Sequence, residues 1–126
     1  MNRQKLLLID DEASLCRLIK LNLERTGEFE VTVAHSGEEG LRKAGETAFD
    51  LVITDLKMPG MDGYQVVEEL KATNPHVPVI ILSASSSDTM SKKKPEIANL
   101  IACFIVKPIN HEELLKKIHE VLGQGK

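Results

Sequence analysis

Short apolar runs alternate with longer segments of helical spacing from one end of this chain to the other, and that alternation constrains its fold more than any other feature. Leu6-Leu7-Leu8-Ile9 is apolar at every position, so it reads as a strand buried on both faces. Ala13 to Thr26 places Leu15, Leu18, Ile19 and Leu23 on one helical stripe, and Gly27 stops it. Phe29 to Ala34 alternates as a second strand. Ser36-Gly-Glu-Glu39 then supplies a capping box for a helix carrying Leu41, Ala44 and Ala48. Leu51 to Thr54 is a third strand. A turn-rich stretch from Met58 to Gly63 leads into a helix from about Asp62 to Thr73, with Val66, Val67 and Leu70 as its apolar positions. Val77 to Leu82 and Ala102 to Val106 read as strands four and five. Asn110-His-Glu-Glu113 caps a last helix bearing Leu114, Leu115, Ile118, Val121 and Leu122. One stretch breaks the pattern. Ser85 to Glu96 is almost wholly polar, holds Lys92-Lys93-Lys94 and Pro95, and reads as a loop with at most a short or broken helix.

Five such units without internal repetition imply a parallel sheet covered on both faces, because right-handed crossovers lay helices over each side. The 126 residues hold one α/β unit of this kind, so 1–126 reads as a single domain with no output domain in the chain. A balance of 42% hydrophobic and 28% charged residues excludes a disordered chain. Sixteen Lys and Arg against nineteen Asp and Glu give a net charge of −3, which offers no basic field to nucleic acid or to an anionic membrane. Phe29, Phe49, Tyr64 and Phe104 are too few for base stacking. Cys16 and Cys103 form no C-x-x-C pair, so they read as small core residues of a protein in a reducing cytosol. Neither a signal-peptide core nor a membrane span is long enough to be present, which gives a cytoplasmic protein.

The polar residues that close the strands carry the chemistry. Asp10 and Asp11 follow the first strand, Asp55 the third, Ser83 the fourth, and Lys107-Pro108 the fifth. All lie at carboxyl ends, on one edge. In a doubly wound, flavodoxin-like sheet of order 2-1-3-4-5, the strand order reverses between strands one and three, and ligands bind there. Three carboxylates therefore converge on one crevice. Two carboxylates about 5 Å apart repel by about 3 kcal/mol at an effective dielectric of about 20, so the cluster calls for a cation. With oxygen donors only, the site suits Mg²⁺ or Mn²⁺ and not Zn²⁺ or Cu²⁺. Capping of the first helix accounts for one of Asp10 and Asp11, but not for Asp55 opposite them.

These fragments, taken in order, resemble the receiver domain of two-component response regulators: Leu-Leu-Leu-Ile-Asp10-Asp11-Glu12, Asp55-Leu-Lys-Met-Pro-Gly-Met-Asp-Gly63, Val-Ile-Ile-Leu-Ser83-Ala84, and Phe104-Ile-Val-Lys107-Pro108. The resemblance implies that Asp55 accepts a phosphoryl group from a histidine kinase or a histidine phosphotransfer protein. It further implies that Asp11 and Asp55 ligate Mg²⁺ together with the Lys57 backbone carbonyl, with Asp10 acting through water. Ser83 and Lys107 would contact the phosphoryl oxygens, Phe104 would be the switching aromatic, and Pro108 would follow a cis bond. The signal would pass from the face formed by the fourth helix, fifth strand and fifth helix to a downstream effector. The protein would be a monomer or a weak phosphorylation-dependent dimer. It would catalyse only its own phosphorylation and dephosphorylation. The chemistry is reasonable in itself, since phosphoryl transfer to a carboxylate needs mainly alignment and positive charge.

Two competing readings are distinguishable by residue. An aspartate-nucleophile phosphatase commonly carries an acid two residues after its nucleophile, where this chain has Lys57. A pseudo-receiver, binding partners without phosphorylation, is suggested only by the unusual fourth helix; separately, Leu100-Ile101 stands where receivers usually carry Gly-Ala. His111-Glu-Glu-Leu-Leu lacks the second histidine of a zinc-protease helix, and His35, His76 and His119 read as surface residues without ligand partners. No phosphate-binding glycine loop and no Gly-x-Ser-x-Gly elbow occurs.

Overall fold

In a computed structural model, which describes residues 3–84 and 95–123, the five apolar runs become five parallel strands: β1 (Gln4–Ile9), β2 (Phe29–Ala34), β3 (Leu51–Asp55), β4 (Val79–Ser83) and β5 (Cys103–Val106). They lie in the order β2-β1-β3-β4-β5, which puts the reversal between β1 and β3. The helices are α1 (Ala13–Arg25), α2 (Gly37–Glu46), α3 (Gly63–Thr73), α4 (Pro95–Ala98) and α5 (His111–Val121). Side chains alternate across β1. Leu6 and Leu8 join Ile19 and Leu23 of α1 and Leu114 and Ile118 of α5 in one core, while Leu7 and Ile9 join Val66, Val67 and Leu70 of α3 in the other. The run was apolar at every position because both of its faces are covered.

Side chains of α1 and α2 seal the open edge of the sheet. Lys20 Nζ donates to the Val31 carbonyl at 2.6 Å, Lys43 Nζ to the Val33 carbonyl at 2.6 Å, and Glu24 accepts the Val31 N–H at 2.9 Å. These charges satisfy outward-facing groups of β2 that a second chain could otherwise pair with.

Helix ends follow the expected caps, with adjustments. Gly27 takes a left-handed φ of 81° just past α1. Ser36 accepts the Glu39 N–H, but Glu39 reaches back to the N–H of His35 instead of Ser36, so the expected box is shifted by one residue. The complete box belongs to α3, where Asp62 and Gln65 each accept the other's N–H. Asn110 caps α5 through the Glu113 N–H.

Three expectations are corrected. Leu18 is 55% exposed, because α1 turns Cys16, Ile19 and Leu23 to the sheet and leaves Leu18 about 100° round the helix from Ile19. Ala48 lies past the end of α2 and is exposed. His119 is half-buried and has a partner: Nε2 lies 2.7 Å from Glu28 Oε1, and its ring packs near Phe29. The fourth helix is described over Pro95–Ala98, and the loop expected over Ser85 to Glu96, including Lys92–Lys94, lies outside the described residues up to Lys94. Among the described residues, no helix is long and apolar enough to cross a membrane.

The corrected face of α1 sets an expected outcome. Ile19→Ala should cost about 2–4 kcal/mol in urea unfolding and Leu18→Ala at most about 0.5 kcal/mol, whereas the sequence stripe alone would make the two losses similar.

Candidate functional site

The parallel register brings the strand ends level, and with them the polar residues that close each strand. Asp10 follows β1, fully buried, with its N–H bonded to the Ala34 carbonyl and its Oδ1 accepting the Glu12 N–H at 2.9 Å. Asp55 ends β3 at 6% exposure, and its Oδ1 accepts the Leu56 N–H at 3.0 Å. Asp11 is exposed beside them. Each of the three offers a carboxylate oxygen, and these atoms lie within 4.8 Å of one another.

Lys107 reaches into this cluster from the end of β5. Its Nζ lies 3.2 Å from Asp55 Oδ1 and 3.4 Å from Asp10 Oδ2. The Lys107–Pro108 bond is cis, as the resemblance implied. The Lys107 N–H donates to the Ser83 carbonyl at 2.7 Å, which ties the ends of β4 and β5 together. Ser83 is fully buried, and Phe104 is half-buried against the core that contains Ile81 and Ile97. Lys57 lies exposed in the segment leaving β3. Asp10, Asp11, Asp55, Ser83 and Lys107 thus share one edge.

The electrostatics are strained. Burial, and then the charge of Asp10, push the Asp55 carboxyl above the usual carboxylate range, and Lys107 and the Leu56 N–H only partly oppose this. Lys107 loses some basicity to burial, yet Asp10 and Asp55 more than restore it and hold its ammonium above the ordinary lysine value. The Cys16 thiol, pushed up to about 12 by burial and by Asp10, stays protonated and donates to the Asp10 carbonyl at 3.3 Å. It is therefore no thiolate ligand. His35 Nδ1 sits 3.3 Å from the same carbonyl and not against a carboxylate. Among the described residues, the Lys107 ammonium stands against three carboxylates with oxygen donors alone, which fits a hard divalent cation.

A family model for the response regulator receiver domain matches residues 6–119. The chain belongs to that family. Receivers are signalling domains of two-component systems, not conventional enzymes, and they bind Mg²⁺ at this acidic pocket. Two transcriptional regulatory proteins are similar to this receiver: YkoG of Bacillus subtilis, uncharacterized, at 35% identity over 99% of the chain, and GlrR of Escherichia coli, at 38% over 95%. The chain spans 54% of the first relative's length and 26% of the second's. A receiver domain from Clostridium thermocellum superimposes with a TM-score of 0.85 at 33% identity, covering 96% of this chain and 95% of that one. TrrA of Thermotoga maritima, solved in complex with Mg²⁺ and BeF, superimposes at 0.82 with 30% identity, covering 94% of this chain and 98% of that one.

Sequence reasoning missed the groups that hold Asp55 in place. The Leu56 N–H on Asp55 and the Thr54 hydroxyl on the Asp55 carbonyl are local contacts, but the first is a backbone donor that no residue type announces. The sharing of Lys107 between two carboxylates joins residues 97 apart in the chain, and only the assembled sheet reveals it.

The raised Asp55 pKa fixes a sign. The folded protein holds that proton more tightly than the unfolded chain, so stability falls as pH rises from the ordinary aspartate value through the raised one. Without metal at neutral pH, Asp55→Asn should therefore melt above the parent, and its advantage should shrink as pH is lowered through that window. Added Mg²⁺ should stabilise the parent more than the variant. Scanning calorimetry of both proteins with and without Mg²⁺ checks all three outcomes.

Proposed function

We propose that Asp55 is the phosphoacceptor of this receiver, taking a phosphoryl group from the phosphohistidine of a histidine kinase or a phosphotransfer protein. The observation that carries this reading is the meeting of a buried carboxylate, a lysine ammonium at 3.2 Å and two further carboxylates at the reversal of strand order. Asp11, Asp55 and the Lys57 carbonyl would hold Mg²⁺ or Mn²⁺, with Asp10 acting through water, and the bound ion would supply positive charge to the phosphoryl oxygens.

The chain's own groups do the rest. Leu56 N–H and Lys107 both engage Oδ1 of Asp55, so Oδ2 keeps its lone pairs for attack. An O–P bond forms as the P–N bond of phosphohistidine breaks, and the electron pair returns to the imidazole. No oxidation is involved. Lys107 follows the transferred charge, and the Ser83 hydroxyl meets a phosphoryl oxygen once β4 yields toward the site. Phe104 then turns inward and alters the α4-β5-α5 face read by the effector. The transcriptional relatives make gene regulation the proposed output, through a cytoplasmic partner and with at most weak phosphorylation-dependent dimerisation.

Magnitudes define the kind of switch. Reversing a 1:99 equilibrium takes about 5.5 kcal/mol of differential binding. A Lys107 ion contact contributes about 1.5–3 kcal/mol and a Ser83 hydrogen bond about 1 kcal/mol, so only several contacts together approach that figure. Phosphorylation accordingly shifts a population.

Acetyl phosphate with Mg²⁺ should add one phosphoryl group to the parent by intact mass, none to Asp55→Ala, and none after chelation of the metal. Lys107→Ala should slow the reaction about a hundredfold, the effect of removing a charge-stabilising donor. A parent that gains no mass would favour the pseudo-receiver, and multiple turnover of a phosphomonoester would favour the phosphatase.

A further inference from the structure

Gly63, the first residue of α3, lies against the backbone of the site. It is buried, and its N–H donates to the Leu56 carbonyl at 2.7 Å. A Cβ placed on it would stand 2.7 Å from the Asp55 carbonyl oxygen and 2.9 Å from Leu56 Cα. Both are main-chain atoms in or beside an inner strand of the sheet, so no rotamer change relieves the contact. Gly37 differs in kind: a Cβ there would meet Val66 Cγ2 at 2.8 Å, the end of a side chain. Gly63 has no left-handed φ, so what it supplies is space and not conformational freedom.

The space matters because of which peptide occupies it. The Asp55–Leu56 carbonyl accepts the Thr54 hydroxyl at 3.0 Å on one side and faces Gly63 on another. The N–H of the same peptide is shared between the Leu82 carbonyl at 2.9 Å and Asp55 Oδ1 at 3.0 Å. Any push on this carbonyl therefore rotates or shifts the N–H that aims the carboxylate. A push on Leu56 Cα also moves the start of the segment that carries the Lys57 carbonyl.

We propose that Gly63 is a positioning residue for phosphoryl transfer, its missing side chain letting α3 clamp the Asp55–Leu56 peptide in the orientation that aims the Asp55 carboxylate. This rests on the reading of Asp55 as phosphoacceptor. A displacement of about 1 Å at a reacting group is enough to cost up to about a hundredfold in rate.

The test compares Gly63→Ala with Leu70→Ala, a cavity variant two turns along α3 whose side chain is buried away from the strand ends. At temperatures giving equal folded fractions, with saturating Mg²⁺, Gly63→Ala should lower the maximal rate of phosphorylation by acetyl phosphate at least ~10-fold. Half-saturation by acetyl phosphate should stay unchanged, because the clamp acts on the nucleophile and not on donor binding. Calorimetric titration should show Mg²⁺ binding weakened at least ~3-fold, while Leu70→Ala keeps rate and metal affinity within ~2-fold of the parent. Equal rates and affinities in the two variants would overturn the positioning role. If Gly63→Ala does not fold, Thr54→Val, which frees the same carbonyl, should lower the maximal rate at least ~3-fold, and a parental rate overturns the proposal. A parent that acetyl phosphate leaves unmodified brings down the Asp55 assignment and this proposal with it. A parent phosphorylated at Asp55 beside an equally fast Gly63→Ala brings down the positioning role alone.

Discussion

Among the described residues, three carboxylates share one strand edge with the Lys107 ammonium, and much of the molecule can be understood from that imbalance. Asp10 and Asp55 are buried where water cannot screen them, and Lys107 divides its charge between both. A fold optimised only for stability would place one carboxylate there or pair each with its own cation. The sheet holds them together because the parallel register leaves no choice. Asp10 follows Ile9, Ile9 is paired with Thr54, and Asp55 is the next residue on β3. The repulsion is thus built into the backbone, and two apolar cores of fully buried side chains keep the strands in place against it.

How much of this the sequence disclosed depended on whether the information was local. The strands were legible because a sheet covered on both faces produces unbroken apolar runs such as Leu6 to Ile9. The acidic cluster was legible because each member immediately follows such a run, and the rule about strand ends does the rest. The buried face of α1 was not. Periodicity gives a stripe of apolar residues but not which edge of the stripe meets the sheet, and the small thiol of Cys16 takes the place assigned to Leu18. Gly63 was visible as a turn residue closing a receiver-like fragment, but not as a contact. Its closeness to Asp55 and Leu56 exists once α3 is laid against β3, and no pattern along the chain encodes it.

The caps show the same division at finer scale. Ser36 was recognisable because its partner Glu39 stands at the required spacing, yet the side chain of Glu39 chose the N–H of His35. Residue type fixed that a cap would form, but not which N–H the Glu39 side chain would satisfy. The Asp62 and Gln65 box went unread in a loop whose glycines and prolines drew attention to turns. It anchors the very end of α3 that Gly63 presses against the site.

The charge imbalance also bears on how a signal could leave the site. Lys107 is bound to Asp10 and Asp55 through its side chain and to Ser83 through its main chain. On the proposed assignment of Asp55 as phosphoacceptor, a phosphoryl group there would add further negative charge next to Lys107, and the ammonium would follow the new oxygens and loosen its hold on Asp10. Ser83 lies opposite Val106 and Ile81 opposite Phe104 in the same ladder, so a shift at the end of β4 is felt by β5 within a few residues. Redistribution of the Lys107 charge and movement of the strand ends would then be one event. On the same proposal, a site electrostatically content before phosphorylation would have less free energy to spend on that movement, so the destabilising cluster would be part of the switch rather than a cost the fold merely tolerates.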